Sequence, residues 1–194
     1  MGFIVCDLSL SLTTSLINIE RNVLVWVENG GIVGRGVLLD YLSWAESEDI
    51  KISQLEKIEI PISDLEKVAA SQGVEFKPND ILFIRTGYVQ ALASLPLDEA
   101  KFYATNLPNA AIGVKACEET LRWLWEKEFA AVAGDQPAFE AVPFQNNEHW
   151  LHEWLLAGWG MPIGELFDLE KLAEECKRLK KWSFFFSSVP LKVS

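Results

Sequence analysis

Both histidines of this chain stand in one stretch, "HWLHEWLLAGWGMPIGE", running from His149 to Glu165. Imidazole and carboxylate groups ligate divalent metals and move protons near neutral pH, so His152 and Glu165 are candidates for half of a metal site. An unbroken helix would not bring them together: the separation of 165 − 152 = 13 positions, at about 100° each, leaves them well apart around the axis. Gly158, Gly160 and Pro162 would end a helix near Ala157, and a turn through them folds Glu165 back toward the last helical face. His149 and His152, three apart, would share one face of that helix. The ordinary alternative is a histidine hydrogen-bonded at the core edge and a glutamate at the start of the next helix, where its charge suits the macrodipole.

Other residue types in the chain carry chemistry with equally plain alternatives. Asp135 in "AGDQPAFE" follows an expected strand, where open α/β sheets gather ligand-binding groups. It reads either as a pocket residue or as a turn aspartate accepting backbone hydrogen bonds. Arg85 in "IRTGY" ends another strand and offers its fork of donors to a substrate carboxylate or to a structural ion pair. Trp123, Trp125, Trp150, Trp154 and Trp159 would line an aryl pocket or serve as core and subunit contacts. Cys117 opens an expected helix but has no histidine paired with it in sequence, so it reads as a packing residue rather than a nucleophile. The glycines of "GGIVGRG" lack the GxGxxG order and a following Lys-Ser or Lys-Thr, which excludes a phosphate loop.

The elements that must position these groups alternate. "GIVGRGVLLDY" (31–41) and "DILFIRTGY" (80–88) are short apolar runs bounded by turn residues and read as buried strands. Between them, Ser63 and Glu66 in "SDLE" predict a capping box with Pro61 just outside, and Gly73 closes the helix. "CEETLRWLWEKE" predicts a helix and "FAAVAGD" a strand. "DLEKLAEECKRLKK" predicts a helix with Asp168 as N-cap, and "WSFFFSSVPL" a strand. Strand, helix, strand repeated makes an α/β domain.

Composition bounds the function classes. A chain of 194 residues suits one domain with a core of its own. With 17 basic and 28 acidic residues its net charge is 17 − 28 = −11, which repels phosphate backbones and anionic lipid heads, so neither nucleic acid nor a membrane is an expected partner. Cys6, Cys117 and Cys176 are odd in number and widely spaced, which fits a cytoplasmic setting. The N-terminal stretch has no basic region before it, is interrupted by Asp7, and matches neither a signal peptide nor an anchor.

Five segments in order, "GIVGRGVLLDY", "FKPNDILFIRTGY", "LRWLWEKEFAAVAGDQPAFEA", "LHEWLLAGWGMPIGELFDLEKLAE" and "WSFFFSSVPL", resemble the cyclase family that includes bacterial kynurenine formamidase and isatin hydrolase, in particular its fungal and large bacterial branch. The resemblance covers roughly Trp26 to Leu191. It implies a swivelling β/β/α-type α/β domain at 26–194 behind an atypical segment at 1–25, commonly assembled as a homo-oligomer. It also implies zinc- or manganese-dependent hydrolysis of a small-molecule amide or lactam. His152 and Glu165 match the family's later metal-ligand pair. The family's N-terminal HxGTHxD stretch, which supplies two histidines and an aspartate, has no counterpart, because residues 1–25 contain no histidine. The expectation is therefore a domain incomplete at both termini, with weak or no amide hydrolysis of its own. The alternative is a non-catalytic paralogue or fragment that binds a partner subunit or a small aryl ligand.

Overall fold

The computed structural model describes residues 3–4, 30–105, 110–144 and 148–189; the segment at 1–25 lies outside them apart from residues 3–4. The main sheet is six-stranded in the order β1-β7-β6-β4-β2-β8. Four parallel strands form its centre: β2 (Ile32–Asp40), β4 (Ile81–Arg85), β6 (Ala131–Gly134) and β7 (Ile163–Gly164). β1 (Phe3–Ile4) and β8 (Ser183–Ser188) close the two edges as antiparallel neighbours of β7 and β2. This is the mixed α/β architecture expected from the alternation of apolar runs and amphipathic segments.

β4, β6 and the second half of β2 are buried on both faces, which is why β4 reads as a continuous apolar run rather than an alternating one. On one face pack helices α1 (Tyr41–Ser47), α2 (Ile62–Gln72) and α5 (Glu118–Glu126), through Trp44, Leu65, Val68, Leu121, Trp123 and Leu124. The other face carries α6 (Glu170–Leu179), with Ala173 and Cys176 set against Leu38, Ile81 and Phe83. Phe83 is 1% exposed and meets the rings of Phe167, Phe184 and Phe186. Helices α3 (Tyr88–Ala93) and α4 (Leu97–Thr105) connect β4 to a small parallel pair, β3 (Glu59–Ile60) with β5 (Gly113–Val114).

Local details differ from the sequence reading in ways that have physical causes. Pro61 itself is the N-cap of α2, and no side chain caps that end. Ser63 therefore lies inside the helix, and Glu66 reaches across to α5 instead, accepting the Trp123 indole N–H and pairing with Lys127 at 3.1 Å. The Ser63–Glu66 capping box does not form. Gly73 does close α2, at φ 64°, a left-handed conformation that glycine adopts without penalty. Asp168 accepts the Glu170 N–H at 3.2 Å, but the N-cap is Leu169, one position later than expected. The strand expected at 80–88 runs only from Ile81 to Arg85: before it Asp80 turns back to accept the Lys77 N–H at 2.7 Å, and after it Gly87 adopts φ 84°.

The segment that leads to the candidate site leans on β5. Val114 N–H donates to the Phe139 carbonyl at 2.9 Å, and Ala141 N–H returns to the Val114 carbonyl at 3.1 Å, which fixes Glu140 between them. The approach is so close that a Cβ on Gly113 would stand 2.4 Å from the Glu140 carbonyl carbon. Gly113→Ala is therefore expected to push the two segments apart and to destabilise the fold by about 1–3 kcal/mol, as overpacked sites do, measured by urea denaturation.

Candidate functional site

The carboxyl ends of the parallel strands collect buried polar side chains. β6 runs out into Asp135 and then to Glu140, while β7 runs into Glu165; Glu140 is 0% exposed and Glu165 6%. Burying a carboxylate without a partner costs several kcal/mol. His152 supplies that partner to both. Its Nδ1 lies 2.7 Å from Glu140 Oε2 and its Nε2 2.9 Å from Glu165 Oε1, while its backbone N–H donates to Glu140 Oε1 at 3.2 Å. The three residues form a linear relay with the imidazole at its centre.

The turn that brings Glu165 to His152 passes through the glycines and proline of the sequence reading, but the helix before it differs. Leu151 and His152 are α-helical, and Glu153–Gly158 continue as a π-helix rather than ending near Ala157. Met161 N–H donates to the Leu155 carbonyl at 2.8 Å, Gly160 takes φ 65°, and the Pro162 carbonyl accepts the Val132 N–H at 3.1 Å, delivering Ile163 into the sheet. His149 lies in the turn before the helix, so the two histidines do not share a helical face.

Burial by itself would lower the His152 pKa, but the hydrogen bonds and charges of Glu140 and Glu165 outweigh it and raise the pKa to about 9. Near neutral pH the ring is an imidazolium that donates from both nitrogens. Trp150 stacks beside it with ring centres 6.2 Å apart, and Phe144 stands 6.1 Å away.

Asp135 and Arg85 are used differently. Asp135, 1% exposed, accepts Thr86 N–H at 2.7 Å, Thr86 Oγ1–H at 2.7 Å and Gly87 N–H at 2.6 Å. Burial pushes its carboxyl pKa up, against those hydrogen bonds and the charge of Arg85. Arg85 donates to Asp40 Oδ1 at 2.7 Å and to both carboxylate oxygens of Glu170 at 3.0 and 2.7 Å. Desolvation would lower its pKa, yet the two carboxylates hold it above the ordinary value. Both groups spend their hydrogen bonds inside the protein, pinning β4 to its neighbours.

The five tryptophans do not form one pocket. Trp123 is in the core, Trp150 is beside His152, and the exposed Trp125 and Trp154 each contact Trp159, which is partly buried against the core. Cys117 is the N-cap of α5, its thiol 3.5 Å from Thr120 Oγ1. Glu140 is the residue that sequence reasoning missed. It stands five positions after Asp135 within the segment "AGDQPAFEA", and spacing gave no reason to set it against His152.

A zinc or manganese ion finds a partial fit here. A buried carboxylate holding Nδ1 of a histidine whose Nε2 faces a second carboxylate is the arrangement that orients metal-ligating histidines. His152 Nε2 and Glu165 would be the two ligands. Among the described residues, however, no group of three or more His, Cys, Asp or Glu side chains is arranged to hold a metal, and a catalytic zinc takes three protein ligands. The described residues therefore do not make a complete metal centre.

The putative cyclase family model matches residues 19–141, a stretch that ends just after Glu140 and before His152. The crystal structure of a novel cyclase superposes with a TM-score of 0.68 at 32% identity, covering 84% of this chain and 50% of that one. Isatin hydrolase A from Labrenzia aggregata gives a TM-score of 0.56 at 15% identity, covering 87% of this chain and 57% of its own. Isatin hydrolase A from Ralstonia solanacearum gives 0.56 at 15%, covering 86% and 56%. At those identities the two hydrolases show likeness of fold. The chain spans about half the length of the solved structures it matches. No curated protein matches it. Among the described residues no helix is long and apolar enough to cross a membrane.

The relay makes stability depend on pH with a definite sign. Because the folded pKa of His152 lies above the unfolded value near 6.5, the stabilisation is fully present below about pH 6.5 and is lost as pH rises through about 9. The free energy of unfolding is expected to fall by on the order of a few kcal/mol over that window, and His152→Gln should remove this alkaline dependence. Urea titrations at stepped pH measure it.

Proposed function

The chain belongs to the putative cyclase family, and from its site we propose that it carries the carboxylate–histidine side of an amide or lactam hydrolase centre of the kynurenine formamidase and isatin hydrolase kind, with little or no turnover of its own. The observation that carries this reading is the Glu140–His152–Glu165 relay. Glu140 fixes the ring by Nδ1 and aims Nε2 at Glu165, so two ligand atoms stand 2.9 Å apart on a rigid support. When bound, zinc or manganese would supply a Lewis acid for a carbonyl oxygen and lower the pKa of a coordinated water toward neutrality.

The same geometry argues for weak activity. His152 must lose its Nε2 proton before that nitrogen can ligate, and with a pKa of about 9 this disfavours binding at pH 7 by a factor of about 100. His152 is also engaged at both nitrogens, so it is not free to act as acid or base on a substrate. Lack of such a group typically costs a factor of about 10² to 10⁴ in rate. The second reading, a non-catalytic paralogue or fragment that binds a partner subunit or small aryl ligand, draws its support from this same engagement. Under either reading the protein works in the cytoplasm, as its free Cys117 and Cys176 suggest. It also assembles with copies of itself, a reading supported by the exposed apolar side chains Val33 and Phe185.

The test is turnover by the purified chain with added zinc or manganese, using N-formylkynurenine and isatin as substrates. The expected rate is background and is unchanged by His152→Ala or Glu165→Ala. Robust hydrolysis that a chelator and His152→Ala both abolish would overturn the proposal.

A further inference from the structure

A concave site lies at the opposite end of β6 from Asp135 and Glu140. It is a cleft of about 390 Å³ next to Ala130, between the last turn of α5 and the end of the π-helix, lined by Trp125, Glu128, Phe129, Trp159 and Met161. Its volume falls within the range of small-molecule sites. Trp125 and Trp159 are in ring contact, with centroids 5.2 Å apart and planes tilted by 55°, and Trp125 is 63% exposed. The two indoles place aromatic surface at the mouth of the cleft.

The electrostatics of this cleft all have one sign. Glu128 contributes a carboxylate that makes no ion pair among the described residues, at a position with φ 56° set by its N–H bond to the Trp125 carbonyl. The carboxyl end of α5 faces the cleft and adds the negative pole of its macrodipole. The nearest lysine in sequence, Lys127, is turned away: its ammonium lies 3.1 Å from Glu66 and over the Phe76 ring at 5.4 Å. Among the described residues, no cationic side chain lines the cleft. Indole faces, a carboxylate and a helix carboxyl terminus together recognise a positively charged group with apolar flanks.

We propose that this cleft, formed by Trp125, Trp159 and Glu128, binds an organic cation of the quaternary ammonium or guanidinium class. The site is independent of the Glu140–His152–Glu165 relay, which lies beyond the other end of β6. Choline, its neutral isostere 3,3-dimethyl-1-butanol, and an N-acetylated arginine amide are the probes, titrated against tryptophan fluorescence and by calorimetry. The expected result is saturable binding of a cation that exceeds binding of the isostere by about tenfold or more. Trp125→Leu and Glu128→Gln should each weaken it by about fivefold to tenfold, while Leu97→Ser, exposed on α4 and outside the cleft lining, should leave it unchanged. Whichever cation binds more tightly distinguishes a free quaternary amine from a guanidinium side chain as the source. Equal binding of choline and its isostere, absence of saturable binding by either cation, or binding indifferent to both cleft substitutions would overturn the proposal. Both substituted side chains are exposed, so these variants retain the fold that the comparison needs.

Discussion

Two carboxylates that the fold has removed from water are held by one imidazolium. Glu140 is fully buried and Glu165 nearly so, and His152 is the side-chain partner of both. Through it the loop after β6, the start of the helical segment at Leu151 and the exit of β7 become one unit. The pair of contacts satisfies charges that would otherwise be expensive to bury. It also sets the imidazole so firmly that its ring nitrogens have defined and different tasks.

The same solution recurs along the carboxyl ends of the parallel strands. Asp135 gathers two backbone N–H groups and the Thr86 hydroxyl, and Arg85 bridges Asp40 to Glu170. A parallel sheet ends with its strands in register, as Asp40 and Arg85 are here, so polar residues at those ends meet one another across the sheet. The place where α/β folds gather ligands is in this chain also the place where buried charges hold the scaffold together. A cluster arranged this way positions side chains well, but most of its hydrogen-bonding capacity is already used.

Much of the scaffold was legible because its signals are local. Continuous apolar runs marked β2, β4 and β6, and Gly73 marked the end of α2. The turn through Gly158, Gly160 and Pro162 correctly suggested that Glu165 returns to His152, because glycine and proline end helices by backbone constraint alone. What was not legible depends on contacts between distant segments. Glu140 becomes a site residue only because Val114 and Gly113 hold its backbone, and Glu66 leaves the helix cap because Trp123 and Lys127 attract it from another helix. Neither pairing has a signature in spacing. The π-helical continuation after His152 was equally hidden, since "EWLLAG" has no residue that forbids an ordinary α-helical turn before its final glycine.

Among the described residues, His152 and Glu165 present two metal-ligand atoms on a rigid support without a third. Calorimetric titration of the purified protein with zinc at pH 7, compared with Glu165→Gln, tests it most directly. Weak, non-stoichiometric heat that the substitution does not change is the expected result. One equivalent of tightly bound zinc per chain, lost in Glu165→Gln, would contradict it and show that a complete ligand set forms.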